Sequence, residues 1–433
     1  MSNLVIIGAG AAGLAAGHAL QAAGQTVTIL EARNRIGGRV WTDRSFVDFP
    51  IENGAEFIHG DQAITWQWVR AIQAQTIPIG KYSSYAYEYE GRLYSYEEML
   101  RWPDFARVFG LEEQEIGQLD LTKPDQSVQH WLARLGITPQ AQQTAAQFLA
   151  HPYLAEPEDI GVADLAHEVQ VHHSGYGNFR LRDGYDQIMT ALAQGLDLQL
   201  NTAVQTVRWD TNPLRIGAEV AGQPVQFSAD RVVITVPLAL LQQQAIRFEP
   251  ALPATKVQAI QALRMGPVVK LQLEFSESFW PSDVSLFSGL GPVPVWWSPG
   301  YCRGSVRAVL TAFVGGKRAL ALNRQAETEA VACAVTDLCR LFSSDAPRRL
   351  LLRGRRISWI DDPWSRGGYS YVPTGAYGAR QILAQPVQDV LFFAGEATVT
   401  DSNPATVHGA IETGIRAAQQ ILKLNHGSEP ALP

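Results

Sequence analysis

The opening forty residues restrict the fold of this chain more than any other stretch. Leu4–Ile7 is an unbroken β-type apolar run that passes directly into Gly8-Ala-Gly10-Ala-Ala12-Gly13. An alanine-rich helix former over Leu14–Ala23 follows, then Gly24 and a second apolar run, Val27–Leu30, that ends in Glu31. The order is strand, glycine turn, helix, strand. In such a unit Gly8 makes the tight turn, Gly10 lets backbone approach a pyrophosphate, and Gly13 lets the helix pack on the strand. Phosphates then sit on the unpaired amides of the helix N-terminus, around Ala12. Glu31 stands where a carboxylate can accept from both hydroxyls of a ribose, and it would repel a 2'-phosphate. A glycine triplet alone arises by chance in loops. With both strands, the helix and the terminal acid, it predicts a dinucleotide-binding α/β unit.

Composition limits what surrounds that unit. At roughly 150 residues per domain, the 433 residues predict two or three domains, or one large two-part enzyme. Apolar residues make up 46% and charged residues 18%, enough for a large core and incompatible with general disorder. The net charge of -7 argues against a nucleic-acid partner and mildly favours cationic ligands. Cys302, Cys333 and Cys339 form no CxxC and no even set, so neither a disulfide scaffold nor a zinc cage is expected. His167, His172 and His173 lack HExxH spacing, and no metal is expected there. Strongly apolar stretches are interrupted well short of the roughly 20 residues of a membrane span. Met1–Asn3 leave no room for a presequence. The expectation is a reduced, cytoplasmic protein that contacts no membrane.

After Glu31, the run Ala32-Arg33-Asn-Arg-Ile-Gly37-Gly38-Arg39 brings a second glycine turn and an arginine able to add charge-assisted bonds to the pyrophosphate. No second GxGxxG occurs, since Gly175-Tyr-Gly177 and Gly289-Leu-Gly291 both lack the third glycine. A separate NAD(P)H domain is therefore not expected, and the electron acceptor would be O2 or a small carrier. Thr65–Gln75 reads as a helix. Tyr82–Tyr96, with six tyrosines, reads as a hairpin around Glu90-Gly91 that either packs on a core or lines a substrate mouth. Helical segments run to about residue 175. Strands are expected at 196–200, 203–209, 225–227, 230–237, 268–275 and 308–313, with a helix at Glu327–Phe342. Val390–Ala394, Gly395-Glu396 and a helix from about Thr406 to Leu422 mirror the opening unit, which predicts that both chain ends meet at one cofactor. Asn425–Pro433 reads as a frayed tail.

Glu52-Asn-Gly-Ala-Glu-Phe-Ile-His59-Gly60, Val233–Leu238, Met265-Gly-Pro-Val-Val-Lys270, Trp359–Tyr371, Phe392–Thr398 and Pro404-Ala-Thr-Val-His408-Gly-Ala are further ordered segments. Together with the run from Glu31 to Arg39 they resemble the flavin-containing amine oxidases of the monoamine oxidase superfamily, the polyamine oxidases most of all, over nearly the whole chain. The resemblance implies an α/β fold of two interleaved parts. A Rossmann-like FAD-binding domain would be assembled from 1–75, 180–240 and 355–433, and a mixed-sheet plus helical substrate domain from 76–179 and 241–354. Glu31 and Arg39 would hold ribose and pyrophosphate, backbone at Val204 would meet the adenine, and Glu396 would accept from a ribityl hydroxyl. Gly54 and Ala55 would lie close to the isoalloxazine, with Trp359 near the rings unless it is simple packing. Ala32, Arg33, Gly38, Gly395, Thr406 and Val407 complete the implied cofactor set. Gly368 replaces the cysteine that tethers flavin in monoamine oxidases, so FAD would be noncovalent.

The chemistry implied is removal of a hydride equivalent from the carbon alpha to a neutral amine to flavin N5. Water then hydrolyses the imine to an aminoaldehyde and an amine, and O2 reoxidises the flavin to give H2O2. Tyr369 would be one aromatic wall for a spermine- or spermidine-type amine, with plain packing as the bland reading. Thr406 occupies the place of a second aromatic, leaving the cage half open. Lys270 lies mid-strand among apolar residues, where an ammonium is costly without a partner. A solvent-facing strand lysine is the bland reading, and the resemblance implies contact with a water at the flavin. His59 could hydrogen-bond a substrate nitrogen or tune its protonation, or be a packed loop histidine. Glu168 could contact a distal ammonium or be a solvated carboxylate. The rival enzyme is an L-amino acid oxidase, which needs a carboxylate-clamping arginine such as Arg303, Arg307 or Arg366. The rival outside enzymes is a non-catalytic flavin-binding subunit. Partners expected are a small cationic amine and O2, in a monomer or homodimer.

Overall fold

The apolar runs that open and close the chain become neighbours in one sheet. The computed structural model describes residues 3–80, 84–305 and 307–426. Its central sheet runs Asp197–Gln199, Thr26–Leu30, Asn3–Ile7, Arg231–Ile234, Leu391–Phe393, and every neighbouring pair is parallel. Parallel strands need cover on both faces, which explains their continuous apolar sequences. Alternate residues enter different cores. Leu4, Ile6 and Val233 pack with Leu14, Ala15, Ile411 and Ala418 of the helices Ala11–Ala22 and Val407–His426. Val5, Ile7, Val232 and Ile234 face Val207 and Ile216 of the four-stranded sheet Gln223–Ala229, Leu214–Val220, Thr202–Arg208, Arg247–Glu249. The first and last long helices thus share one core, and the glycine turn at Gly8 sits at the carboxyl ends of the parallel strands, where such sheets bind ligands.

A seven-stranded sheet forms the other large layer, in the order Leu351–Ser358, Val268–Phe275, Ala308–Gly315, Val295–Trp297, Leu286–Ser288, Tyr85–Tyr89, Arg92–Ser95. Helices Pro103–Gln114, Pro139–Ala150 and Val162–Val171 pack around Tyr87 and Phe105 at its hairpin end. A small sheet pairs Asn178–Leu181 with both Phe57–His59 and Thr76–Ile79.

Several local expectations change. The helix expected over Thr65–Gln75 spans only Trp66–Ala71, after which Gln73 takes a left-handed φ of 53° and the chain enters a strand. Val268–Phe275, an alternating sequence, is buried at all eight positions, because strands flank it and packed layers cover both faces. Leu214–Val220 is a strand that the sequence hid behind Pro213 and an interior glycine. The hairpin forms at Glu90-Gly91, while Tyr82 lies outside the described residues. Asn425 and His426 continue the last helix, and Gly427–Pro433 lie outside the described residues. Among the described residues no helix is long and apolar enough to cross a membrane.

Candidate active site

The glycine turn, the segment 52–60, the strand carrying Lys270 and the start of the last helix all open onto one cavity of about 830 Å³. At its glycine-turn end the wall is largely backbone. Nothing lies within 4 Å of the place where a side chain on Gly10 would begin, so that main chain is open to an occupant. Glu31 is buried and fixed, accepting from the N–H of Ala9 at 2.7 Å and of Arg33 at 2.8 Å. Ala32, Gly38 and Val204 share this lining. Gly13 does not reach the cavity. A Cβ there would lie 1.9 Å from the Gly8 carbonyl oxygen, so Gly13 serves the cofactor end as a packing residue that lets helix and turn meet, the role its place in the glycine triplet gives it. Arg33 is engaged by Asp362 at 2.7 and 2.5 Å.

Arg39, expected to hold the pyrophosphate, lines the cavity and donates through Nη1 to the Gly368 carbonyl at 2.7 Å and to Glu396 at 2.9 Å. Glu396 also accepts from the Ser370 hydroxyl at 2.7 Å. Burial acts to raise the Glu396 carboxyl, but the Arg39 and Arg380 charges and the Ser370 bonds outweigh it and hold it below the ordinary carboxylate range. The Arg39–Glu396 pair therefore ties the opening segment to the closing one, and both members line the cavity.

Beyond this clasp the wall becomes side chains. Lys270 is 4% exposed, and its ammonium donates to the carbonyls of Glu52 at 3.0 Å and Gly54 at 2.7 Å and to Glu56 at 3.3 Å. Its Nζ stands 5.0 Å from the centre of the Trp297 ring. Burial lowers the Lys270 pKa, and the Glu56 and Glu52 charges oppose the shift. Glu56 is shared, accepting from Arg180 at 2.8 Å and from the Trp297 indole at 2.9 Å. The Glu52 carboxyl is pushed up to about 7 by burial, against hydrogen bonds from the Tyr185 N–H and Thr42. The solvent-facing reading of Lys270 is thus excluded. Glu56, Arg180 and Trp297 escaped the sequence reading, although a lysine in an apolar strand demands an anion and Glu56 lies within the segment from Glu52 to Gly60.

Gly54 shows how closely the chain is folded here. A Cβ on it would lie 1.9 Å from the Arg39 carbonyl oxygen and 3.1 Å from the Trp359 ring. Trp359 donates to the Asn53 carbonyl at 2.8 Å and packs with Leu154, Val268 and Tyr369. The Tyr369 hydroxyl is tethered to the Pro152 carbonyl, and burial pushes its pKa up. Thr406 lines the cavity, but its hydroxyl caps the last helix, accepting from the Gly409 N–H at 3.0 Å and donating to the Asn403 carbonyl at 2.7 Å. Ala55, Gly395 and Val407 also face the cavity.

Glu168 is not a solvated carboxylate. It lines the cavity, accepting from the Tyr153 hydroxyl at 2.7 Å and Asn403 at 2.9 Å, and burial pushes it up to about 7. His59 opens its ring onto the cavity, and burial lowers its pKa against a hydrogen bond to Asn178 at 2.7 Å. Arg303 is spent on the carbonyls of Pro299, Arg182 and Leu181, Arg307 pairs with Glu274, and Arg366 is exposed. None of the three lines the cavity. Among the described residues no cluster of His, Cys, Asp and Glu could hold a metal ion.

An α/β sheet with this glycine turn, a fixed acid at the strand end and a long cavity beyond them defines a dinucleotide-binding class. Residues 11–422 match the family described as flavin containing amine oxidoreductase, and the chain belongs to that family, whose cofactor is FAD. The open backbone at Gly10 and the fixed Glu31 fit that cofactor. The chain is 31% identical to polyamine oxidase 4 of Oryza sativa subsp. japonica, over 97% of its own length and 88% of the relative's. It is 31% identical to lysine-specific histone demethylase 2 of Homo sapiens and 30% identical to lysine-specific histone demethylase 1 homolog 3 of Arabidopsis thaliana. These matches cover 97% and 98% of this chain but only 53% and 30% of those relatives. Among solved structures, putrescine oxidase superposes with a TM-score of 0.83 at 23% identity, covering 98% of this chain and 99% of the other, which shows a shared fold.

Proposed function

We propose that the protein is an FAD-dependent oxidase of a polyamine of the spermine or spermidine type. The observation that carries this reading is the make-up of the cavity beyond the Arg39–Glu396 clasp, where the carboxyl of Glu168 and the imidazole of His59 face the space and, among the described residues, no arginine does. An amine with a second positive charge finds an acid there, while the carboxylate of an amino acid finds no clamp. The likeness to a rice polyamine oxidase supports the same substrate class.

FAD supplies the hydride acceptor when bound. The protein's part is to bind, orient and keep one nitrogen deprotonated. Glu168 would gain its charge as a distal ammonium approaches, Tyr369 would wall one side of the amine, and His59, its pKa lowered by desolvation in the cavity, would meet the reacting nitrogen. Lys270, held by Glu56 and two carbonyls, would set a positive charge at the reacting edge. Noncovalent cofactor binding is supported at Gly368, where a Cβ would lie 2.4 Å from Leu154.

Peroxide should be measured with spermine, spermidine, their N-acetyl forms, monoamines, a methylated lysine peptide and common L-amino acids, and the aldehyde product identified. Turnover of polyamines is the expected result. Turnover confined to amino acids, or to the peptide, would overturn the substrate class. Acid precipitation should release FAD into the supernatant.

A further inference from the structure

We propose that Asn178 is a positioning residue that fixes His59 as its Nδ1–H tautomer, so that Nε2 meets the substrate nitrogen as a bare hydrogen-bond acceptor. The inference rests on the amine reading above. His59 and Asn178 are direct partners across the antiparallel pair Phe57–His59 and Asn178–Leu181, and both line the cavity. His59 Nδ1 lies 2.7 Å from Asn178 Oδ1. The other end of the same amide, Nδ2, donates to the Tyr85 hydroxyl at 3.1 Å. Asn178 thus turns its oxygen toward the ring and its NH2 group toward Tyr85, and an amide oxygen only accepts.

The proton of the neutral imidazole is therefore on Nδ1, and Nε2 carries a lone pair. Among the described residues no hydrogen bond to the protein occupies Nε2, and the ring is open to the cavity. Enclosure by the cavity walls lowers the His59 pKa, which favours the neutral acceptor form. The choice of tautomer matters for an amine. A donor at Nε2 would engage the nitrogen lone pair that must be free for oxidation. An acceptor takes an N–H instead, or draws the extra proton from an ammonium, and leaves that lone pair available.

The test is long-range proton–nitrogen NMR on the FAD-loaded protein without substrate, at a pH above the His59 titration, with the His59 signals assigned by their loss in His59→Gln. The expected result is the Nδ1–H tautomer in the unsubstituted protein. In Asn178→Leu the signal should move to Nε2–H or a mixture, with kcat/KM for the amine down about tenfold, equivalent to ~1.4 kcal/mol for one hydrogen bond, and the flavin spectrum unchanged. Asn178→Asp, which keeps an acceptor oxygen, should keep Nδ1 protonated, and if Asn178→Leu does not fold the tautomer of the unsubstituted protein decides. An Nε2–H tautomer in the unsubstituted protein, or Nδ1–H retained in Asn178→Leu, overturns the proposal. The tautomer is read in the resting protein, so absence of amine turnover would sink the substrate reading while leaving this result intact.

Discussion

At the glycine-turn end of the cavity the wall is main chain: the open backbone of Gly10, the amides that fix Glu31 and the close approach of Gly54 to Arg39. At the other end it is side chains brought from distant segments, with Lys270, Glu56, Arg180 and Trp297 interlocked and Glu168 held by Tyr153 and Asn403. Where backbone packs on backbone, as Gly54 does against Arg39, no added atoms are tolerated, because neither main chain has anywhere to move. The second tolerates changes of shape but not of charge, because each buried ion depends on its neighbour. One end is a matter of sterics and the other of electrostatics.

The sharpest break of that contrast is at the backbone end. Gly54→Val should cost more than about 3 kcal/mol through overpacking and yield colourless or insoluble protein, measured as flavin absorbance per mole of polypeptide. Yellow, stable protein would show that the approach to Arg39 can relax. At the charged end, Glu56→Ala leaves Arg180 and Lys270 unpaired and should lower stability by about 3–5 kcal/mol in urea titrations, and Glu56→Gln, which keeps the shape but removes the charge, should recover only a minor part of that loss. Glu168→Gln should raise KM for a diamine about tenfold, the scale of one charge-assisted hydrogen bond, and leave a monoamine of equal length unaffected. Equal effects on both would remove Glu168 from the distal contact.

The smallest effect is on pH. Burial raises Glu52 and Glu168 from an ordinary 4.5 to about 7. Over that interval the native state holds protons that the unfolded chain has lost, so stability falls as pH rises from near 4.5 to about 7 and then levels off. Glu168→Gln should reduce that fall by on the order of 1 kcal/mol, read from urea midpoints across the interval.

The same contrast explains what the sequence made legible. The glycine turn, Glu31 and the closing strand and helix are short contiguous patterns whose spacing follows from backbone geometry, and the two ends of the chain do share a core. Arg39 could be placed near the cofactor but not paired with Glu396, because their contact spans 357 positions. Lys270 announced that it needed a partner without naming it. Val268–Phe275 alternates like a half-exposed strand and is buried throughout, since the layers that cover its polar face come from elsewhere in the chain. Thr406 carried a polar group into the cavity wall, yet its hydroxyl is taken by the helix it caps.

The most direct measurement is an anaerobic titration of the FAD-loaded protein followed by flavin absorbance, with spermine in one cell and an L-amino acid in the other. The account predicts bleaching by spermine and none by the amino acid. Flavin that stays yellow with spermine and bleaches with the amino acid would contradict it.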